Sequence, residues 1–445
     1  MPPGGVVRDL ASDWLRDGAA PPRRGLRGGA SEQPTPRAER SLRVVVHCAL
    51  VPAHLARSSR KYRAAATAAA TTTAAAATTA AAMPVIETIT VEAPTLEQQQ
   101  DTAQALKGSS PGSPTTSLLL PLLPLHACTP LRESLALGRV AGTRVLLKLD
   151  NAQPSGSFKI RGIGHLCQVS ARRGCQRFVC SSGGNAGLAA AYSARMLGVP
   201  ATIYVPTTTP NFTVERLRDE GATVNIHGQM LDDTIEYAME VAKANNWVYI
   251  PPFDNPLIWE GHASLVHELK ASMHSKPGAI ALSVGGGGLM CGVVQGLREV
   301  GWEDVPIIAM ETRGADSLNA ALQAGKLVTL PSITSVAKSL GAKRVGAYSF
   351  KVANEHPVFS EVISDQEAVK AMERFLDDEK ILAEPACGAA IAAVYSKVIQ
   401  KLQGEGKLSW DLPSVVVIVC GGSNITLKQL YLLKEQLGMD DDTSS

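Results

Sequence analysis

R-F-V-C-S-S-G-G-N-A-G-L-A-A-A-Y-S-A-R-M-L-G-V-P-A-T-I-Y-V-P, Arg177 to Pro206, reads as strand, small-residue loop, helix and strand. R-F-V-C has the bulk of a short buried strand, A-A-A-Y-S-A-R-M-L-G the composition of a helix, and A-T-I-Y-V-P the β-branched content of a second strand. Working outward, the texture repeats. R-V-L-L-K-L-D (Arg144 to Asp150) precedes S-G-S-F-K-I-R-G, and A-I-A-L-S-V precedes G-G-G-G-L. V-P-I-I-A-M-E (Val305 to Glu311) follows, and S-V-V-V-I-V-C (Ser414 to Cys420) precedes G-G-S-N. Strands alternating with helices imply a parallel sheet covered by helices on both faces, and the near-continuous apolar strands read as buried on both sides. In such sheets ligands sit beyond the carboxyl ends of the strands, so these loops should surround one cleft.

With 445 residues and 45% apolar content, the chain is long enough for one large or two medium domains with a sizeable core. A net charge of +2 and the lack of a basic stripe with interleaved aromatics argue against nucleic acid and anionic membranes and favour small molecules. Eight cysteines without C-x-x-C spacing argue against a zinc site or a disulfide framework and for a reducing compartment. No apolar run is long enough to cross a bilayer, and Leu118 to Leu125 reads as an entry strand or docking segment. Residues 1–117 open rich in Arg, Pro and Gly, pass through an Ala/Thr tract from Ala64 to Ala82, and lack the large apolar residues that repay ordering. They read as a disordered tail. Its arginines suggest a mitochondrial leader as the alternative, against which stand Asp9, Asp13, Asp17, Glu32 and Glu39. Met83 offers an alternative start.

Four loops carry chemistry. If Ser157 caps a helix, Lys159 falls in its first turn, where the macrodipole and free N–H groups favour the neutral amine, a nucleophile toward carbonyls and a usable base. A lone lysine there would ordinarily be a snorkelling surface residue, so the other loops must decide. Gly285 to Gly288 follow a strand and open a helix, which makes a phosphate cradle. The dinucleotide spacing G-x-G-x-x-G fails, since the sixth place falls on Met290 or Cys291, and a Walker loop fails because Val293 and Val294 follow Gly292. S-S-G-G-N-A-G (Ser181 to Gly187) offers amides for a smaller anion such as a carboxylate, with Asn185 as a two-way hydrogen bonder. Cys420, at a strand's carboxyl end, is either an inert core thiol or a partner for a ring nitrogen. An amine for an aldehyde, two anion cradles and a partner for a heterocyclic nitrogen together describe pyridoxal phosphate holding an amino acid.

On these residues the chain resembles the serine/threonine dehydratase family of fold-type-II pyridoxal phosphate enzymes, from about Thr129 to Gly438. The likeness is carried by P-S-G-S-F-K-I-R-G-I-G-H, S-S-G-G-N-A-G and P-P-F-D-N-P-L-I-W-E-G-H-A-S. It continues in S-V-G-G-G-G-L-M-C-G-V-V-Q-G-L, I-L-A-E-P-A-C-G-A-A and V-V-V-I-V-C-G-G-S-N. The resemblance implies a tryptophan-synthase-β-like α/β fold. A large, twisted, mostly parallel sheet domain (118–152 and 257–438) would carry a smaller inserted α/β domain (153–256), with 439–445 disordered. It implies that Lys159 bonds the cofactor, Phe158 packs on its ring, and Asn185 meets its 3′-hydroxyl. Gly285, Gly286, Gly287, Gly288 and Leu289 would surround the phosphate, and Cys420 would meet the pyridine nitrogen. Ser182, Gly183, Asn185 and Ala186 would receive the substrate. A monovalent cation, usually potassium, would lie at Gly285, Glu311, Ala315, Ser317, Leu340 and Ala342, mostly on backbone carbonyls. Glu311 is also placed like the ribose partner of a dinucleotide fold, which the failed glycine spacing disfavours.

The activity so implied is dehydration of L-serine to pyruvate and ammonia, and of L-threonine to 2-oxobutanoate, by a cytoplasmic homodimer in amino-acid catabolism feeding gluconeogenesis. The Lys159 amine would take the α-proton, a neutral Cys420 thiol would draw electrons only moderately, and the cofactor phosphate would assist the leaving hydroxyl. Many serine dehydratases have alanine at Gly183, a related dehydratase-like branch has glycine, and serine racemases have a serine there as second base. Racemisation is therefore not expected. No module follows Ser445 of the sort that confers isoleucine feedback on biosynthetic threonine deaminases, so none is expected. Two competitors share the motifs: a catalytically silent paralogue and a cysteine-synthase-like transferase.

Overall fold

The computed structural model describes residues 123–229 and 231–439, and the readings made above for residues 1–117, for Met83 and for 440–445 lie outside them. Two parallel sheets organise the chain. The first runs β1-β2-β10-β7-β8-β9, from β1 (Leu131–Ser134), β2 (Val145–Lys148), β7 (Ala279–Ser283), β8 (Ile307–Thr312), β9 (Val358–Ile363) and β10 (Val415–Ile418). Its pairings are parallel except β1 with β2. Interior strands β2, β7, β8 and β10 are buried at every residue, as expected of strands covered on both faces. Strand β1 carries exposed Arg132 and Glu133, charges that blunt an edge against pairing.

The second sheet runs β5-β4-β3-β6, all parallel, from β3 (Phe178–Cys180), β4 (Ala201–Val205), β5 (Thr223–Ile226) and β6 (Val248–Tyr249). Alternation along its strands assigns the faces. Phe178, Cys180, Ile203 and Val205 pack with the alanines of Asn185–Leu197, whereas Val179 and Tyr204 pack with Ala238 and Ala242 of Leu231–Ala244. Successive side chains point to opposite faces, so these two helices cover opposite sides of the sheet. Both sheets belong to one compact unit.

The helices, in chain order, are α1 (Leu135–Ala141), α2 (Lys159–Arg172), α3 (Asn185–Leu197), α4 (Asn211–Asp219), α5 (Leu231–Ala244), α6 (Pro256–Ser272) and α7 (Gly288–Glu299). They continue with α8 (Ser317–Ala324), α9 (Ala347–Glu355), α10 (Asp365–Glu379), α11 (Pro385–Tyr395), α12 (Val398–Gly404) and α13 (Leu427–Gln436). Helix α11, buried from Pro385 to Val394, packs directly on β7, β8 and β10. The segment Leu123 to Leu125 forms no strand: Leu125 is buried beside Ile160 and Ile163, and Gln168 Nε2 donates to Leu123 O at 2.8 Å. These contacts agree with the docking reading over the three residues, and the rest of the stretch, 118–122, lies outside the described residues. Met439 N–H donates to Lys434 O at 2.9 Å and packs on the cluster around Leu430.

Helix α2 is fixed by a buried charge network. Arg161, 0% exposed, holds Asp150 through Nε (2.7 Å) and Nη2 (2.8 Å), and Glu268 through Nη1 (2.6 Å) and Nη2 (2.9 Å). Lys148 Nζ donates to the same Glu268 at 2.5 Å and to Thr129 O at 2.7 Å. Buried charges persist only when paired in this way.

Candidate active site

Lys159 is the first residue of α2, and the loop before it is pinned to the end of β10. Phe158 N–H donates to Cys420 O at 2.9 Å, and Ser157 forms an antiparallel bridge with Gly421. Gly156, at φ +75°, leaves only 1.8 Å between an added Cβ and Ser423 Oγ, so the loop closes only on glycine. The expected Ser157 cap is not formed: Phe158 occupies the N-cap in helical conformation, and Ser157 Oγ is buried without a partner. The bridge to Gly421 engages Ser157 outside capping geometry. Lys159 nevertheless lies in the first turn, its Nζ donating to Pro252 O and lying 5.4 Å from the Phe158 ring centre. Burial lowers its pKa from 10.5 to about 8, against the opposing pull of Cys180, Cys420 and Glu384. An amine that gives up its proton near neutrality is what attack on a carbonyl needs.

The glycine loop stands at the carboxyl end of β7, next to β10. None of the amides from Gly286 to Met290 has a hydrogen-bond acceptor among the described residues. These are the orphan donors of the α7 N-terminus, with Gly287 as N-cap at φ +90°. Aimed together, such donors bind an anion. The outer side of the loop is filled: a Cβ on Gly286 would fall 2.3 Å from the Phe253 ring, and one on Gly287 2.3 Å from Ser349 Oγ. Phe253 directly follows Pro252, so one short segment backs the loop and holds the lysine.

The S-S-G-G-N-A-G loop opens α3 at the end of β3. The amides of Asn185, Ala186 and Gly187 have no acceptor among the described residues, while Ser182 Oγ accepts from Gly184 N–H at 3.3 Å. Ser182 and Gly183 are partly exposed. Asn185, 7% exposed, donates through Nδ2 to Glu384 Oε1 at 2.7 Å, leaving Oδ1 buried without a partner. Cys420, 3% exposed, lies 3.5 Å from Ser283 Oγ, and the neighbouring Cys387 thiol and burial raise its pKa far above the usual thiol value. It is a neutral thiol. The three strand ends thus meet around Lys159, whose charge is felt by Cys180, Cys420 and Glu384 together.

A family model for pyridoxal-phosphate dependent enzymes matches residues 122–421. The chain belongs to that family. A relative named L-serine dehydratase/L-threonine deaminase, from Homo sapiens, is 71% identical over 317 residues, covering 71% of this chain and 97% of that one. A serine dehydratase-like protein of Mus musculus is 62% identical over 315 residues, covering 71% and 96%. Among solved structures, a fungal L-serine ammonia-lyase from Rhizomucor miehei superposes with a TM-score of 0.66 at 39% identity, covering 70% of this chain and 99% of that one. The paired sheets are the fold-type-II architecture of pyridoxal phosphate enzymes.

Pyridoxal phosphate fits the residues present. Its phosphate matches the unpaired amides of the glycine loop, its aldehyde the lowered pKa of Lys159, and a polar ring edge the orphaned Asn185 Oδ1. The set named for the cation also converges in part. A Cβ on Gly285 would lie 3.0 Å from Leu340 O, and Leu340 O accepts from Ala342 N–H at 2.7 Å. Glu311, 0% exposed, has a second occupation the sequence did not suggest: its oxygens cap α8, accepting from Leu318 and Asn319 N–H at 2.8 Å each. Burial still raises its pKa to about 8. Ala315 donates to Thr312 O at 2.8 Å, and Ser317 Oγ is buried without a partner. Among the described residues no cluster of three or more His, Cys, Asp or Glu could hold a metal ion.

Sequence reading missed Glu384, Phe253 and Ser283. Glu384 stood in plain view before Pro385 at a helix start, where an acid suits the macrodipole. Phe253 and Ser283 carry no chemical signal of their own and enter only because the fold brings them to the loops.

Proposed function

We infer that the chain is a pyridoxal-phosphate-dependent L-serine dehydratase, converting L-serine to pyruvate and ammonia, and that it also deaminates L-threonine to 2-oxobutanoate. The observation that carries this is the Lys159 amine, its pKa lowered by burial to about 8, in a fold that also presents two rows of unpaired helix-start amides at the ends of β3 and β7. The names of relatives at 60–71% identity support the substrates. When bound, pyridoxal phosphate supplies an electron-withdrawing ring conjugated to the substrate's α-carbon. The S-S-G-G-N-A-G amides then orient the substrate carboxylate. Lys159, whose pKa burial lowers to about 8 so that the neutral amine is within reach, takes the α-proton. Cys420 offers a hydrogen bond and keeps its proton, so the pull on electrons stays moderate. Gly183 has no side chain, and a Cβ there would meet Thr209 Cγ2 at 2.9 Å, so no base faces the substrate from that position.

We propose in addition a potassium ion at Gly285, Glu311, Ala315, Ser317, Leu340 and Ala342. The orphaned Ser317 Oγ and the buried Glu311 carboxyl, whose ionised form a bound cation would favour, support it. A homodimer is proposed from the apolar face of α13, where Leu427, Tyr431 and Leu432 are each at least half exposed. Cytoplasmic residence and service to gluconeogenesis complete the proposal. The first is supported by the free thiols of all described cysteines and the acids within the basic N-terminal stretch. Purified protein should release pyruvate from L-serine and 2-oxobutanoate from L-threonine, and borohydride should fix the cofactor to Lys159. Lys159→Ala should fold and lose both activities. Turnover without this lysine, or a cofactor fixed to another, would overturn the reading, and cysteine formation from sulfide outpacing pyruvate would select the transferase.

A further inference from the structure

The carbonyl of Gly286 is held from outside the glycine loop by two donors, Ser349 Oγ at 3.0 Å and Gly346 N–H at 3.1 Å. Gly346 is the N-cap of α9, and Ser349 lies in the first turn of that helix, 1% exposed. A carbonyl can only accept, so the Ser349 hydroxyl commits its proton to Gly286. Cys291 Sγ lies 3.2 Å from the same hydroxyl oxygen and is therefore the donor to it. Burial pushes the Cys291 thiol up to about 12, so it keeps the proton that this bond needs. The hydrogen bonds run one way, from Cys291 in α7 through Ser349 in α9 to the loop.

In a trans peptide the C=O and the N–H point to opposite sides. Fixing the Gly286 carbonyl toward α9 directs the Gly287 N–H away from α9, and that N–H is one of the unpaired amides of the cradle. The glycines themselves do not enforce this choice. Glycine takes positive and negative φ about equally, so the peptide between Gly286 and Gly287 can turn over at little cost. Turned over, it would aim a carbonyl oxygen at the anion in place of an amide. We propose that Ser349 is a positioning residue for the phosphate: its hydroxyl latches the Gly286–Gly287 peptide in the orientation that offers the Gly287 amide to the anion. The proposal rests on the pyridoxal phosphate reading of the site. It also gives Gly287 a second reason to be glycine besides its φ of +90°, because an added Cβ would fall 2.4 Å from Ser349 Cβ and push the latch away.

The test titrates cofactor-free parent, S349A and S349C with pyridoxal 5′-phosphate and with pyridoxal, which lacks the phosphate, and follows imine absorbance. Both ligands bond Lys159 alike, so the ratio of their affinities isolates the phosphate. In S349A the preference for the phosphorylated ligand should fall roughly two- to tenfold, the span of one neutral hydrogen bond, while pyridoxal binds as in the parent. S349C, with a weaker donor, should fall between the two. A general loosening of the fold would weaken both ligands together and leave the ratio where it was. An unchanged ratio in S349A overturns the proposal. If S349A does not fold, an S349C ratio equal to the parent's overturns it instead. A parent that binds the two ligands equally, or whose cofactor borohydride does not fix to Lys159, is a separate result and sinks the site reading itself.

Discussion

Replacing Lys159 by methionine keeps the side chain's length, removes its charge, and tests the electrostatics of the site. In the cofactor-free protein its pKa falls from 10.5 to about 8, chiefly through burial. The folded value lies below the unfolded one, so unfolding takes up a proton between about pH 8 and 10.5, and the parent's stability rises with pH across that window. At roughly 1.4 kcal/mol per pKa unit, the charge costs the folded parent about 3 kcal/mol at pH 7 and about 1 kcal/mol at pH 10. The side chain is partly exposed, so solvent screening brings the pH 7 figure to about 1–3 kcal/mol. Lys159→Met also removes the hydrogen bond to Pro252 O, a loss that does not depend on pH because the amine donates in either form. The stability of the variant relative to the parent should therefore fall by about 1–2 kcal/mol from pH 7 to pH 10. Urea unfolding of both cofactor-free proteins at the two pH values reads this difference. A variant whose stability relative to the parent stays constant, or rises, from pH 7 to pH 10 would refute a buried amine poised near neutrality.

Arg161→Met should destabilise the protein by about 3–5 kcal/mol, because Asp150 and Glu268 are left as buried charges without their guanidinium; a thermal midpoint unchanged from the parent would contradict the network. Gly286→Ala places a Cβ 2.3 Å from the Phe253 ring, so the loop or ring must shift at about 1–3 kcal/mol. It should lose cofactor on dialysis faster than the parent, and equal retention would show that the loop does not hold the phosphate. The carboxyl of Glu311 has its pKa raised from 4.5 to about 8, so the cofactor- and potassium-free protein should lose stability as pH rises across that range. Glu311→Gln should flatten this dependence and blunt stabilisation by potassium, and thermal midpoints taken with and without the salt decide both.

The alternation of apolar strands, small-residue loops and alanine-rich helices was legible because each element announces itself within a few residues. Arg177 to Pro206 became β3, α3 and β4. The chemistry was legible for a related reason: Lys159, Asn185 and the four glycines are types whose use at a helix start is narrow. The cap at Ser157 was misjudged because capping depends on the backbone conformation of the neighbouring residue, which a bridge to Gly421, far along the chain, dictates. Glu311 was read as a ligand alone because the N–H groups it caps come from a helix whose start the sequence marks weakly.

By itself, the sequence determined which residues could act and what class of ligand their loops would hold, since amine, amide and thiol chemistry is a property of residue type. Only the tertiary structure decided which atoms meet. The order β2-β10-β7-β8 sets Cys420 beside Ser283, a Pro252 carbonyl against Lys159, and Glu384 across from Asn185. Those partners lie between 93 and 199 residues apart in the chain. Protonation states and the facing end of an amide depend on burial and on such neighbours, and neither exists until the sheets close on each other.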